Sequence, residues 1–203
     1  MSSGAAMILA GGMARRMQGA DKAFLPLGDQ TLFEHVLSRV APQCRLILIS
    51  ANGPPARYAA FGLPIIADQQ AISLGPLAGI LAGLDYLAQH APTVTHLVSL
   101  PVDTPFIPTD LIARLEEAGG LVSAASGGQV HHAVTLWPQT MREALRHQLI
   151  DQGNRSVRDF LAGHGATNVE WPITDHDPFF NINNVEELVL AEAWVAPAPP
   201  ARH

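Results

Sequence analysis

The chain has 203 residues, 48% hydrophobic and 15% charged, and carries a net charge of −6. Such a composition belongs to an ordered domain with one substantial core; it excludes a disordered chain, and the acidic balance argues against a general nucleic-acid binder, which needs a basic face. Cys44 is the only cysteine, which leaves no intramolecular disulfide and no cysteine-based zinc cluster.

The first apolar run, Ala5 to Ala10, reads as a short buried strand. It opens into Leu9-Ala10-Gly11-Gly12-Met13-Ala14-Arg15-Arg16-Met17-Gln18-Gly19-Ala20-Asp21-Lys22. Adjacent Gly11 and Gly12 let the backbone turn sharply and approach a ligand with no Cβ in the way. Arg15, Arg16 and Lys22 concentrate cations in a chain that has only 12 Lys and Arg. A loop of this kind offers backbone N–H groups and charge to a polyphosphate; the alternative is a solvated turn. The Walker A string is absent, and Gly11-Gly12 has the wrong spacing for a dinucleotide fingerprint. The Arg pair follows the apolar run instead of preceding it, the wrong order for a secretory signal, and no apolar run approaches the roughly eighteen residues of a membrane span. A cytoplasmic enzyme is expected.

Leu32, Phe33, Val36, Leu37 and Val40 fall at helical spacing, and Pro42 ends the pattern. Arg45 to Ser50 is a strand opening into the break Asn52-Gly53-Pro54-Pro55, and Pro64 to Asp68 is a short strand ending on a carboxylate. Gly75 to Gly79 introduces a helix through Gln89, whose Gly75, Gly79 and Gly83 mark one face packed close to a strand or a ligand. His96 to Leu100 is a buried strand, followed by Pro101-Val102-Asp103-Thr104-Pro105 and a helix from Asp110 to Ala118. Strands are predicted at Leu121 to Ala125 and Ala133 to Trp137, with Gly127-Gly128 between them. Helices follow at Gln139 to Gln148 and Ser156 to Ala162. Short strands at Asn168 to Trp171 and Phe179 to Ile182 precede a last helix, Val185 to Trp194, whose apolar members are expected on the sheet. The Pro/Ala tail from Val195 to His203 is expected to be disordered.

This order predicts an α/β fold: one domain, residues 1–194, with a mostly parallel sheet, helices on both faces and an antiparallel part at one edge. Ligands of open α/β sheets sit beyond the carboxyl ends of the strands. Gly11-Gly12, Ser50 with Asn52, Asp68 and Asp103 all occupy such ends, although each alone could be a cap or turn residue. Asp103, stiffened by Pro101 and Pro105, suits Mg²⁺, which takes few protein ligands beside phosphate and water. Asp68 could accept hydrogen bonds from a base or ribose. His131 and His132, adjacent on a strand, should point to opposite faces. No Ser-His-Asp or Cys-His arrangement is evident.

The first loop resembles the signature L-A-G-G-x-[SA]-x-R-M-G-x-x-K of nucleotidyltransferases acting on the molybdenum cofactor, with Gln18 where that pattern usually has Gly. The resemblance continues through Gly75-Pro76-Leu77-Ala78-Gly79, Pro101-Val102-Asp103-Thr104-Pro105-Phe106, Gly153-Asn154-Arg155-Ser156-Val157-Arg158-Asp159-Phe160-Leu161 and Asn181-Ile182-Asn183-Asn184-Val185-Glu186-Glu187-Leu188. Together these are similar to the molybdenum cofactor guanylyltransferases. The likeness implies a three-layer nucleotidyltransferase fold of the nucleotide-diphospho-sugar transferase type. It implies GTP contacts at Leu9, Ala10, Gly11, Gly12, Lys22, Ser50, Asp68 and Asp103, with Asn more usual in the family at Ser50. Arg15, Lys22 and Asp103 would be catalytic, Asp103 would bind Mg²⁺, and Arg155 and Asn183 are candidates for the pterin.

The implied reaction joins GMP to the terminal phosphate of the molybdopterin cofactor and releases pyrophosphate. Acceptor molybdoenzymes or their chaperones would be further partners, with no nucleic acid and no membrane. The nucleophile is already anionic, so no general base is needed, and the barrier is charge repulsion and alignment. Alternatives are a cytidylyltransferase on the same cofactor, another nucleotidyltransferase of this fold, and a non-catalytic cofactor-delivery module. The cytidylyl relatives commonly read Leu-Ala-Ala-Gly, which tilts Leu9-Ala10-Gly11-Gly12 toward GTP. Retention of Lys22 and Asp103 counts against a silent module.

Overall fold

The first apolar run folds as β1 (Ala5–Leu9) in the computed structural model, which describes residues 4–11, 21–51, 54–67 and 75–195. Strands β4 (Leu46–Ala51), β5 (Ile65–Ala67), β6 (His96–Pro101), β7 (Val122–Ser126), β8 (Gln129–Pro138) and β9 (Thr167–Trp171) join it in a seven-stranded sheet of order β5-β4-β1-β6-β8-β7-β9. Only β8 runs against the rest. The fold is therefore the α/β three-layer arrangement expected, but the antiparallel strand expected at one edge is β8, which lies inside the sheet between β6 and β7, and the edge strand β9 pairs parallel with β7. A separate hairpin, β2 (Pro26–Leu27) and β3 (Gln30–Thr31), turns at Gly28 with φ 64°; the sequence did not suggest it.

Alternation along the strands explains the layers. Ala6 and Ile8 of β1 join one apolar layer with Phe33, Val36 and Val40 of α1 (Leu32–Val40) and Leu111, Ile112 and Leu115 of α3 (Leu111–Ala118). Ala5 and Met7 face the other layer, with Leu77, Ile80, Leu84 and Leu87 of α2 (Pro76–His90), Leu145 of α4 (Arg142–Arg146) and Phe160 of α5 (Val157–Gly163). Each fully buried Val, Leu, Ile, Met or Phe side chain among these contributes about 1.5–3 kcal/mol relative to exposure. Helix α1 starts on a capping box: the Glu34 carboxylate accepts the Thr31 N–H at 2.7 Å and the Thr31 hydroxyl accepts the Glu34 N–H at 3.3 Å.

Three expectations about local elements need correction. Phe179 to Ile182 is not a strand: Phe179 N–H donates to the Asp177 carboxylate at 2.9 Å and Phe180 N–H to the Asp177 carbonyl at 3.1 Å, so the donors are spent locally. The helix predicted over Gln139 to Gln148 divides into a 3-10 turn (Gln139–Met141), α4 and a π-helical stretch (His147–Asp151). The last helix, α6 (Val185–Val195), does not pack on the sheet, whose faces the other helices already cover. It lies against the hairpin, where Ala191 is buried with Leu27, Leu32, Phe106 and Ile182, while Val185 and Val189 are exposed. At the histidines, pairing jumps from Ala124↔His131 to Ser123↔Thr135, a bulge, and both histidines are half-buried. The tail expected to be disordered lies outside the described residues from 196 onward.

Candidate functional site

Parallel pairing sets Leu9, Ser50 and Pro101 in one row at the carboxyl ends of β1, β4 and β6. The ladder runs one residue further on each side, through Ala10 N–H to the Ser50 carbonyl at 2.8 Å and Val102 N–H to the Leu9 carbonyl at 3.2 Å. Leu9, Ala10, Gly11 and Ser50 thus share one end of the sheet. Gly12, Arg15, Arg16, Gln18, Asn52 and Asp68 lie outside the described residues; β5 ends at Ala67, immediately before Asp68 in the chain.

The glycine periodicity of α2 resolves into two roles. A Cβ on Gly79 would come within 2.4 Å of Ser50 Oγ, and one on Gly83 within 2.6 Å of Met7 and Leu97, so both positions let the helix lie against strands. Gly75 meets nothing within 4 Å; it is the N-cap, with φ +78°, a conformation costly for other residues.

Lys22 stands on a 3-10 turn, Lys22–Phe24, that Asp21 caps by accepting the Ala23 N–H at 3.2 Å. The second Asp21 oxygen pairs with Arg57 at 2.6 Å, and the Arg57 guanidinium lies 5.4 Å from the centre of the Phe24 ring. The turn is thereby held from the far side. Its lysine points at the end of β6: Lys22 Nζ is 2.5 Å from Asp103 Oδ2 and 2.9 Å from Asn183 Oδ1. The Asp103 segment is fixed as well, since Thr104 donates its hydroxyl to the Pro101 carbonyl at 2.8 Å and Ile182 N–H donates to the Asp103 carbonyl at 2.9 Å.

Lys22 and Asp103 are respectively 12% and 18% exposed at the side chain, so their charges interact through less screening than a surface pair. Asp103 Oδ1 is buried and has no hydrogen-bond partner among the described residues. An orphaned carboxylate oxygen is costly unless something else satisfies it. It fits one contact to a hard cation that brings its remaining oxygens from phosphate and water. Among the described residues no group of three or more His, Cys, Asp or Glu could hold a metal by itself.

Asn183, weighed from sequence only for the pterin, stands directly on Lys22; its repeat of Asn residues was the available signal. Arg155 is exposed on the segment before α5. Ser126, His131 and Asp177 do meet, contrary to the sequence expectation, but Ser126 lies between the other two. Its hydroxyl donates to a carboxylate, so the imidazole does not activate it as a nucleophile. Burial pushes the Cys44 thiol up to about 11, which keeps it protonated and unreactive near neutrality. No described helix is long and apolar enough to cross a membrane.

Comparison with known proteins gives a consistent result. Residues 6–167 match the MobA-like NTP transferase domain family. The chain is 46% identical over 195 residues to a molybdenum cofactor guanylyltransferase of Bradyrhizobium sp. (strain ORS 278), covering 94% of this chain and 92% of that one. Among solved structures, molybdopterin-guanine dinucleotide biosynthesis protein A from Archaeoglobus fulgidus superposes with a TM-score of 0.71 at 22% identity, covering 94% of this chain and 97% of that one. Rv0371C from Mycobacterium tuberculosis H37Rv, solved in complex with manganese, gives a TM-score of 0.70 at 17% identity, with coverage of 96% and 100%.

Proposed function

The chain belongs to the MobA-like NTP transferase family, and from that premise we propose that it transfers GMP from GTP to the terminal phosphate of the molybdopterin-type molybdenum cofactor. The observation that carries the choice of reaction is the 46% identity, over nearly the whole chain, to a protein named for guanylyl transfer to that cofactor. The geometry of Lys22, Asp103 and Asn183 supports the chemistry.

An oxygen of the cofactor's phosphate attacks the α-phosphorus of GTP; the new P–O bond forms as the bond to the β-phosphate oxygen breaks, and pyrophosphate leaves with its electron pair. No proton need be removed from an anionic nucleophile, so no general base is required. What the protein must supply is alignment and positive charge where oxygens crowd. Lys22 supplies an ammonium held between Asp103 and Asn183, so its direction is set before the phosphates arrive. Gly11 and the backbone N–H groups that follow it would take the phosphates, with Gly12 and Arg15 in the same loop. Leu9, Ala10, Ser50 and Asp68 would bound the nucleoside, Asp68 accepting from the N–H donors of guanine. Asp103 would hold a divalent cation, Mg²⁺ in this reading, through its unsatisfied oxygen; when bound, the ion neutralises phosphate charge and orients the leaving group.

The test is incubation with molybdopterin cofactor, Mg²⁺ and each NTP in turn, followed by mass identification of the product. GTP should give the GMP adduct and one equivalent of pyrophosphate. A CMP adduct, or no adduct with any NTP, overturns the proposal.

A further inference from the structure

Residues 172–184, which carry Asn183 to Lys22, contain no helix or strand. Something other than a ladder must hold them. Ser126, 1% exposed at the end of β7, has its Oγ 2.7 Å from Asp177 Oδ1 and 2.6 Å from His131 Nε2. A carboxylate only accepts, so the serine hydrogen goes to Asp177 and its oxygen accepts the Nε2–H of His131. The hydrogen bonds therefore run in one direction, from imidazole to hydroxyl to carboxylate. The same Asp177 oxygen accepts the Phe179 N–H at 2.9 Å. Phe179, 1% exposed, packs its ring 4.8 Å from that of His131 and 5.4 Å from that of Trp171. Beyond it, Ile182 N–H reaches the Asp103 carbonyl and Asn183 Oδ1 accepts from Lys22. At Asp177 and Phe179, one polar and one apolar hold on this stretch thus pass through the β7–β8 hairpin, while His176 and Phe180 pack on Trp194 of α6 and Asn183 N–H donates to Glu187.

We propose, on the reading that GMP is transferred at the Lys22–Asp103 site, that His131 and Ser126 are positioning residues: through Asp177 and Phe179 they fix residues 177–183 so that Asn183 aims the Lys22 ammonium. His131 touches neither Lys22 nor Asp103 and acts only along this chain of contacts. The donor requirement is specific. A phenylalanine at 131 keeps a ring for Phe179 but leaves Ser126 Oγ without its N–H, whereas a glutamine keeps an N–H and loses the ring.

The experiment compares the full-length protein with Ser126→Ala, His131→Phe and His131→Gln, using hydrogen exchange and guanylyl-transfer kinetics. In Ser126→Ala and His131→Phe, amides of residues 177–183 should exchange at least about tenfold faster while those of β1 and β6 stay unchanged. Their kcat should fall about tenfold to a hundredfold, since small misplacements remote from the chemistry have effects of that size. KM for GTP should move less than about threefold, and His131→Gln should recover most of kcat. Combined with Asn183→Ala, the Ser126→Ala loss should largely disappear, because both act on one contact. Normal exchange at 177–183, acceleration spread over the whole sheet, or a Ser126→Ala loss that persists undiminished beside Asn183→Ala overturns the positioning role. If the unaltered protein makes no GMP adduct, guanylyl transfer fails as a reading, and exchange at 177–183 alone decides the positioning claim by the same criteria.

Discussion

The two halves of the sheet hold the candidate site residues in different ways. In the parallel half, β5-β4-β1-β6, the row of Leu9, Ser50 and Pro101 follows from strand register, and each residue beyond it inherits its place from the ladder. In the other half, Asn183 reaches Lys22 from an irregular segment tied down by individual contacts at Asp177, Phe179 and Ile182. A ladder distributes position over many bonds, so single changes shift it little. A segment held by a few contacts can lose its aim while the domain stays folded.

Substitutions can break this contrast from either side. The largest effect is expected at the junction itself. Lys22→Ala should lower turnover about 10²–10³-fold, the usual cost of deleting a preorganised charge partner, and should weaken GTP binding in titration calorimetry. Asp103→Ala should reduce turnover comparably but spare GTP affinity more, and should flatten the response to added Mg²⁺. Normal Mg²⁺-dependent turnover in that variant would remove Asp103 from the metal role.

Gly79→Ala tests the parallel half. Its new Cβ would sit 2.4 Å from Ser50 Oγ and 3.0 Å from Leu9, so α2 or the strand ends must shift. Overpacking of this kind costs about 1–3 kcal/mol, which calorimetry would register as a Tm lower by about 2–12 °C for a chain of this size. An unchanged Tm would mean that the helix does not press on β4.

A smaller effect concerns pH. Burial disfavours the His131 imidazolium and lowers its pKa from 6.5, against the pull of Asp177 and Glu170 and with the help of His132. Below 6.5 the unfolded chain takes up a proton that the folded chain resists, so this contribution to stability is lost as pH falls from 6.5 toward the lower native value. Melting curves of the wild type should therefore drop more steeply than those of His131→Phe across that range; parallel curves would show that His131 is not desolvated. Least of all is expected from cutting the chain after Val195. Val195 is the last residue of α6 and packs beside the hairpin, so truncation beyond it should leave Tm and transfer rate unchanged, whereas loss of either would give the tail a role at the site or in a contact.

Local chemistry is what the sequence could report. Apolar runs bounded by Gly and Pro revealed β1, β4 and β6, helical spacing revealed α1 and α2, and the Pro-flanked Asp103 and the cationic first loop stood out because their residue types are unusual where they occur. From alternating strands and helices followed the parallel sheet, and from that the shared position of Leu9, Ser50 and Asp103 at strand ends. The resemblance to a known family supplied the reaction. Other features depended on partners distant in the chain. Lys22 and Asn183 lie 161 residues apart, and nothing near either one names the other. The strand expected at Phe179 to Ile182 failed because the Asp177 carboxylate and carbonyl took the first backbone donors, and α6 left the sheet because its faces were already filled. The bulge at His131, with the serine that orients it, likewise arises from how β7 and β8 pair. Periodicity reveals which face of an element is apolar, but only packing decides what that face meets, because burial and hydrogen bonding are settled by competition among all the elements at once.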